Sequence, residues 1–448
     1  MTDVKFDGGE ELLVVCDRVL ELVGDRAEAE VTVRSGRSGL TRFANSHIHQ
    51  NVAESGRWAR LKVIVNGRQA TAGTSRLTAG LESLVERALR AADLRPVDPG
   101  WPGLAPPASA GSGPDERYDE VTFLAEPDLR AEIVHAFVEE GDGLEAAGFC
   151  ETGGSVHAFA NSAGQRVWFP WSRAVIEGIH RSPGSDGSGQ QISARVDRLD
   201  GSAAGRAAAE KARRGEDALE LEPGSYEVIL EPAAVVDMLD FLTGHGFNAK
   251  HHAEGRSFVE LGRAQFDPQV SIFDDPTDPR SLGYPFDAEG TPCRLLDLVR
   301  SGVSVALAHD RRTAAAVGTG STGHAVVGGE ISGPVPTSVF LQPGDRSPAS
   351  MIAAVDRGLL VTEFWYTRIL DPKTQVVTGL TRNGLFLIED GKVTSGVRNL
   401  RFTQSYVEAL AAGNVLGVGN DGRLAGESQF FAPTVHLRSW NFTGGARG

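Results

Sequence analysis

VVDMLDFLTGHG, residues 235–246, opens on an apolar stripe and ends with a histidine between two glycines. Val235, Val236, Leu239 and Leu242 recur at the spacing that places them along one side of a helix. Pro232 just ahead suits a first helical turn, where its missing N–H is not needed. Gly244 and Gly246 then end the helix around His245. Further along come His251, His252 and Glu254, followed by His309 and His324. Asp240, His245 and either His251 or His252 offer the carboxylate and imidazole donors that zinc accepts. Gly246 and Gly255 nevertheless mark the intervening stretch as a loop, so no ligand spacing is fixed, and these histidines read equally as exposed or hydrogen-bonded side chains.

More motifs follow in the C-terminal half. Residues 318–323 are GTGSTG, continuing into His324-Ala325, and residues 341–345 are LQPGD. TRNG at 381–384 and EDGK at 389–392 lead to Val397-Arg398-Asn399, and APTVHL at 432–437 runs on to Gly444-Gly445. With the 235–246 stretch, this set resembles the TldD/PmbA (TldD/TldE) peptidase family, over nearly all of the C-terminal half and more loosely over the first half. The family's catalytic branch carries HExxxH on the equivalent helix. Laying Gly244-His245-Gly246 on the family's Gly-His-Gly puts Asp240 at the first histidine and Phe241 at the glutamate, so only His245 keeps a ligand type. The family's third ligand, a cysteine ahead of the closing Pro-Thr, falls on Val418 or Gly419, and the last cysteine of the chain is Cys293. A hydrolytic zinc takes three protein ligands plus an open water position, with a nearby carboxylate to accept the water's proton. Phenylalanine accepts none.

The resemblance therefore implies the TldE/PmbA-like branch, which lacks HExxxH, with no catalytic residue and no cofactor of its own. It implies a heterodimer with a TldD-like catalytic subunit that holds the zinc, acting on small or unfolded peptides. Two other readings stand beside it: a homodimeric peptide-binding pseudoenzyme, and a hydrolase with a relocated metal site. No G-x-S-x-G occurs, so a nucleophile elbow is absent.

Composition is that of an ordinary globular protein, at 448 residues, 41% hydrophobic and 23% charged. A net charge of −15 argues against a nucleic-acid partner, which would call for a basic face. Three widely spaced cysteines, Cys16, Cys150 and Cys293, suit a reducing compartment. The N-terminus MTDVKFDGGEELL lacks the basic and apolar regions of a secretory signal, and no apolar run is long enough to span a membrane. These features point to a cytoplasmic protein that uses no membrane.

Periodicity predicts helices over 10–23, 77–92 and 128–147, strands over 29–35, 40–54, 58–65, 69–75, 148–160 and 165–177, and a hairpin at Asn66-Gly67. Residues 95–117, rich in proline, read as an irregular loop. Phe43-Ala44-Asn45-Ser46 recurs as Phe159-Ala160-Asn161-Ser162, a hint of a repeated hairpin. A Gly/Ser-rich stretch at 182–191 precedes a connector helix at about 203–219. Short β-rich pieces follow, with helices over 233–242, 347–356 and 404–412. The expected fold is α+β in two domains: residues 1–220 with a mixed sheet and helices, and residues 221–448, β-rich and TldD/PmbA-like.

GTGSTG matches the dinucleotide fingerprint letter for letter, but the glycines and prolines of 326–336 cannot form the helix that fingerprint opens. His47 and His49 share one strand face and, with His324, are the candidate peptide contacts.

Overall fold

A computed structural model describes residues 8–109 and 115–445. The first residues of the N-terminal reading and the middle of the 95–117 loop lie outside the described residues.

Helix α1 (Gly9–Val23) buries Leu12, Cys16, Val19 and Val23 at helical spacing, and the Glu11 carboxylate accepts the Gly8 N–H at 3.1 Å to cap its start. β1 (Glu28–Ala44), β2 (His47–Val65) and β3 (Arg68–Thr74) form a meander, with Asn66-Gly67 at positive φ in the second turn, and α2 (Leu81–Asp93) closes the unit. A short turn, α3 (Glu120–Phe123), leads into the same order again. It runs α4 (Pro127–Glu139), β4 (Glu145–Asn161), β5 (Arg166–Ser182), β6 (Ser185–Ser193) and α5 (Gly201–Arg214).

The sheet order β3-β2-β1-β4-β5-β6 reads alike from both ends. Where a mixed sheet was expected, every pairing here is antiparallel, because tight hairpins join the consecutive strands on each side of the central β1–β4 pair. Ala158 and Ala160 pack with α1 and α2, while Ala146 and Cys150 pack with α4 and α5. The shared parity of these β4 residues puts all four helices on one face.

The repeated Phe-Ala-Asn-Ser does sit at both hairpin turns. A register shift between Arg42 and Phe43 turns Phe43 toward Phe137 on the helix face, whereas Phe159 packs against Phe286. The architecture repeats, but the four letters are not equivalent side chain for side chain.

Several expectations shift. The 40–54 strand is split by a turn at Asn45-Ser46, both at positive φ. The 128–147 helix stops at Glu139, where Asp142 and Gly143 adopt positive φ and release the chain into β4. The Gly/Ser-rich 182–191 segment is strand β6, and its glycines serve close approach. A Cβ on Gly187 would lie 2.2 Å from the Ala208 carbonyl oxygen, and one on Gly189 2.0 Å from that of Ala204. The small-residue face of α5 (Ala204, Gly205, Ala208, Ala212) thus lies directly on the strand. The helix is shorter than the expected connector and packs on its own sheet.

The C-terminal half begins with β7 (Gly224–Leu230), α6 (Pro232–Phe241), a π-helical turn (Leu242–Gly246) and α7 (Ala249–Ala253). β8 (Ile272–Asp274), β9 (Leu296–Arg300), β10 (Val303–Ser304), α8 (Arg311–Val317), α9 (Gly329–Ser332), β11 (Val339–Leu341) and α10 (Pro348–Ile352) follow. Then come β12 (Arg357–Asp371), β13 (Val376–Glu389), β14 (Lys392–Gly396), β15 (Leu400–Ser405) and α11 (Tyr406–Ala409). β16 (Val415–Val418), β17 (Arg423–Ala425), β18 (Phe430–Ala432) and β19 (Val435–Gly445) complete the chain.

One sheet runs β10-β9-β8-β11-β18-β17, the other β12-β7-β19-β15-β13-β14. Pairing of β12 with β13 closes β12, β7, β19, β15 and β13 into a ring. The expected "short pieces" are therefore partly long strands, with β12 and β13 spanning 15 and 14 residues. The expected 404–412 helix shrinks to α11 because β15 stays paired with β13 through Ser405, whose Oγ then caps the helix. Gly318, left-handed, ends α8, so GTGSTG terminates a helix rather than opening one. Among the described residues no helix is long and apolar enough to cross a membrane.

The halves interlock. Tyr284 lies 4.8 Å from His157 and edge-on to Trp171, and Gln165 Nε2 donates to the Gly290 carbonyl at 2.7 Å. We expect Gly189→Ala, which drives a methyl into a helix carbonyl, to destabilise the protein by about 1–3 kcal/mol. Gly56→Ala, where nothing lies within 4 Å, should be neutral or stabilising. Urea unfolding of the two variants checks this; equal stabilities would contradict the close approach of α5 to β6.

Candidate functional site

α6 is apolar nearly all round, burying Ala234, Val235, Val236, Met238 and Leu239. It packs against β12 on one side and the β17–β18 hairpin on the other. Its polar residues are held individually. Asp237 accepts Tyr406 Oη at 2.7 Å and Thr367 Oγ1 at 2.8 Å, and burial pushes its carboxyl up to about 6. Asp240, on the exposed side, accepts Ser428 Oγ at 2.8 Å.

The helix then widens. Thr243 Oγ1 donates back to the Leu239 carbonyl at 2.8 Å and the Phe247 N–H reaches the Leu242 carbonyl at 3.3 Å, giving the π turn. Gly246 is required there, since a Cβ would meet the Phe258 ring at 2.0 Å.

Three rings lie stacked at this helix end. Phe241 lies near-parallel to His245, with centroids 6.0 Å apart and planes 19° apart, and His245 lies over His251 at 5.8 Å and 15°. Tyr406 closes edge-on against Phe241 at 5.9 Å. His245 Nδ1 is buried without a hydrogen-bond partner, and burial, then the adjacent His251, lowers its pKa. His251 Nδ1 meets the His245 carbonyl at 3.3 Å. The arrangement favours neutral imidazoles packed against an apolar ring.

The other positions lie in different surroundings. Val418 is buried in β16 opposite Val435. Gly419 donates to the Thr434 carbonyl and accepts the Gly344 N–H, each at 2.8 Å, and a Cβ there would lie 2.3 Å from Asp421 Oδ1. The tight crossing leaves no room for a ligating side chain at 419 without rearrangement. His252 is exposed. His324 is buried, its Nδ1 meeting Thr322 Oγ1 at 2.8 Å and its Nε2 meeting Asp274 Oδ1 at 3.1 Å, so both nitrogens are engaged within the fold. His47 and His49 are exposed on β2. Of the residues singled out in the sequence, Phe241, His245 and His251 meet at one helix end, while Asp240 faces solvent beside Ser428. Sequence reasoning missed Asp237, whose partners lie far along the chain in β12 and α11.

A zinc does not fit these residues. Phe241 offers neither a metal donor nor a proton acceptor, and His245 stacks on Phe241 and His251 rather than converging with other donors. Among the described residues, no group of three or more His, Cys, Asp or Glu side chains is placed to hold a metal ion.

A family model described as the PmbA/TldA metallopeptidase C-terminal domain matches residues 223–444, and one described as domain 1 of the same metallopeptidases matches residues 29–92. A metalloprotease from Methanothermobacter thermautotrophicus is 28% identical over 291 residues, covering 60% of this chain and 61% of that protein. A Synechocystis metalloprotease is 24% identical over 197 residues, covering 43% of this chain and 40% of that protein. The chain thus matches less than two thirds of either relative's length. The structure of TldE from Thermococcus kodakarensis is similar at a TM-score of 0.86 and 19% identity, over 96% of this chain and 100% of that one, a likeness of fold.

Because folded His245 resists protonation, the unfolded chain gains a proton first as pH falls below the ordinary imidazole value of 6.5. Its contribution to stability is therefore present above that pH and is lost as pH falls toward the depressed folded value. We expect His245→Leu to compare more favourably with the parent protein at pH 5 than at pH 7 in urea unfolding. Parallel stability curves would contradict the neutral stacked imidazole.

Proposed function

Because this chain belongs to the PmbA/TldD metallopeptidase family, we propose that it is the non-catalytic, TldE-like subunit of a zinc peptidase whose metal sits in a TldD-like partner. The observation that carries this reading is the Phe241–His245–His251 stack at the helix end where a catalytic member would present its metal ligands and base. The retained framework then supplies walls and contacts instead of chemistry. Zinc is a cofactor of the partner and none is bound by this chain; a cytoplasmic setting, suited to the unpaired thiols Cys16, Cys150 and Cys293, completes the proposal.

Two surface features support it. On β12, Trp365, Tyr366 and Leu370 are 43%, 65% and 59% exposed, and the Arg382 guanidinium lies 4.1 Å from the Trp365 ring. Exposed aromatic and arginine side chains are the residue types that anchor protein interfaces. Tyr366 also holds a left-handed backbone, φ 57°, in an irregular stretch of the β12–β13 pairing, which turns its ring outward. In addition, β3 pairs with β2 only from Ala59 onward, so no described strand covers the outer edge of β2 over residues 47–58. That open edge, carrying His47 and His49, suits an extended peptide gripped by backbone hydrogen bonds.

Co-expression with a TldD-like homologue should give a stable 1:1 complex whose peptidase activity requires both chains. Trp365→Glu should weaken that complex at least about tenfold, roughly 1.4 kcal/mol, without lowering the melting temperature of the isolated chain. A chain that stays monomeric at micromolar concentration beside a partner fully active alone would overturn the proposal.

A further inference from the structure

Between the face of the N-terminal sheet opposite its helices and the C-terminal domain lies a cleft of ≈ 630 Å³, well away in sequence from the α6 stack. Its walls include Glu30 on β1, Lys62 on β2, Trp101, Glu289 and Arg312. The volume falls within the roughly 300–1,000 Å³ of small-molecule sites.

Charge within the cleft is unevenly matched. Glu30 is only 6% exposed; its Oε2 lies 3.5 Å from Lys62 Nζ on the paired strand, and its Oε1 is buried with no hydrogen-bond partner. Lys62 divides its attention, with its ammonium 4.4 Å above the Trp101 ring. Glu289 has one oxygen on the Arg311 N–H at 3.1 Å. Burial, then the neighbouring Asp287, pushes its carboxyl up to about 8, with Glu30 adding to the same effect.

Of the neighbouring cations, Arg311 and Arg312 are already committed, while Arg60 and Arg95 line the cleft without forming a hydrogen bond to Glu30 Oε1. Arg312 pairs with Asp98, Nη1 to Oδ1 at 3.0 Å, and Arg311 donates to the Gly103 and Leu104 carbonyls. A buried carboxylate oxygen without a partner is costly, and Glu30 Oε1, facing a cavity that Glu289 also lines, calls for a cationic donor from outside. Among the described residues no group of three or more His, Cys, Asp or Glu side chains is placed to hold a metal ion here. An ammonium, needing only two or three acceptors, fits better.

We propose that this cleft binds a protonated primary amine, its ammonium set between Glu30 and Glu289, as offered by the amino terminus of a short peptide or by a small free amine. The site belongs to one chain and stands whether or not the chain works as a peptidase subunit.

Calorimetric titration of the purified full chain tests it with Ala-Ala, N-acetyl-Ala-Ala and n-butylamine. Ala-Ala should bind with one site per chain, and acetylation should weaken it at least about tenfold, because a neutral amide cannot pair the charge of the buried Glu30 carboxylate. Butylamine binding as well as Ala-Ala would identify free amines as ligands; binding of Ala-Ala alone would identify peptide termini, and either outcome supports the site. Glu30→Gln and Glu289→Gln should each reduce Ala-Ala affinity by a similar factor, and the acetylation comparison on the unmutated chain holds even if a variant folds poorly. Equal binding of the acetylated dipeptide, no saturable binding of either amine at millimolar concentration, or displacement of Ala-Ala by stoichiometric magnesium or calcium would overturn the proposal.

Discussion

Two near-parallel planes, the Phe241 ring and the His245 imidazole, lie against each other at the end of α6, four residues apart and so on one helix face. The π turn then leads the chain into α7, where His251 lies near-parallel to His245. Aromatic pairs of this kind contribute about 0.5–1.5 kcal/mol beyond their burial. That is modest beside what a bound zinc would contribute, but it acts on a buried imidazole nitrogen that has no hydrogen-bond partner. Burial, then the adjacent His251, disfavours protonation of His245.

Around this point the scaffold is conservative in its physics. α6 seats beside a closed ring of strands filled by Phe364, Phe402 and Trp440, whose centroids lie 4.5–5.3 Å apart. Asp237 ties the helix to β12 and α11 through two hydroxyls. The helix is fixed in place, while its polar positions bond to neighbours or face solvent. The N-terminal domain contributes a different asset, a broad antiparallel sheet whose helix-free face meets the C-terminal domain and encloses a charged cleft.

Much of this could be read from the residues themselves. The Asn66-Gly67 hairpin, the amphipathic α1, the α6 stripe and the loop nature of GTGSTG follow from local rules, and each has its expected form. The errors have a common origin in tertiary context. The glycines of 182–191 look like a linker by composition, yet they exist so that α5 can lie on β6 at carbonyl contact. The 404–412 helix lost its start to a strand pairing that only the closed ring imposes. Asp237, Glu30 and Glu289 carry no motif; their significance lies in burial and in partners distant in sequence. His324, which sits in a family-like segment, proved to be a buried, doubly engaged side chain.

Whether the α6 end is a ring stack or a metal site is decided by zinc analysis of the isolated chain after exhaustive dialysis, alongside His245→Ala. For a ring stack, well under one zinc per chain is expected in both proteins. One zinc per chain in the parent protein, lost in His245→Ala, would contradict it.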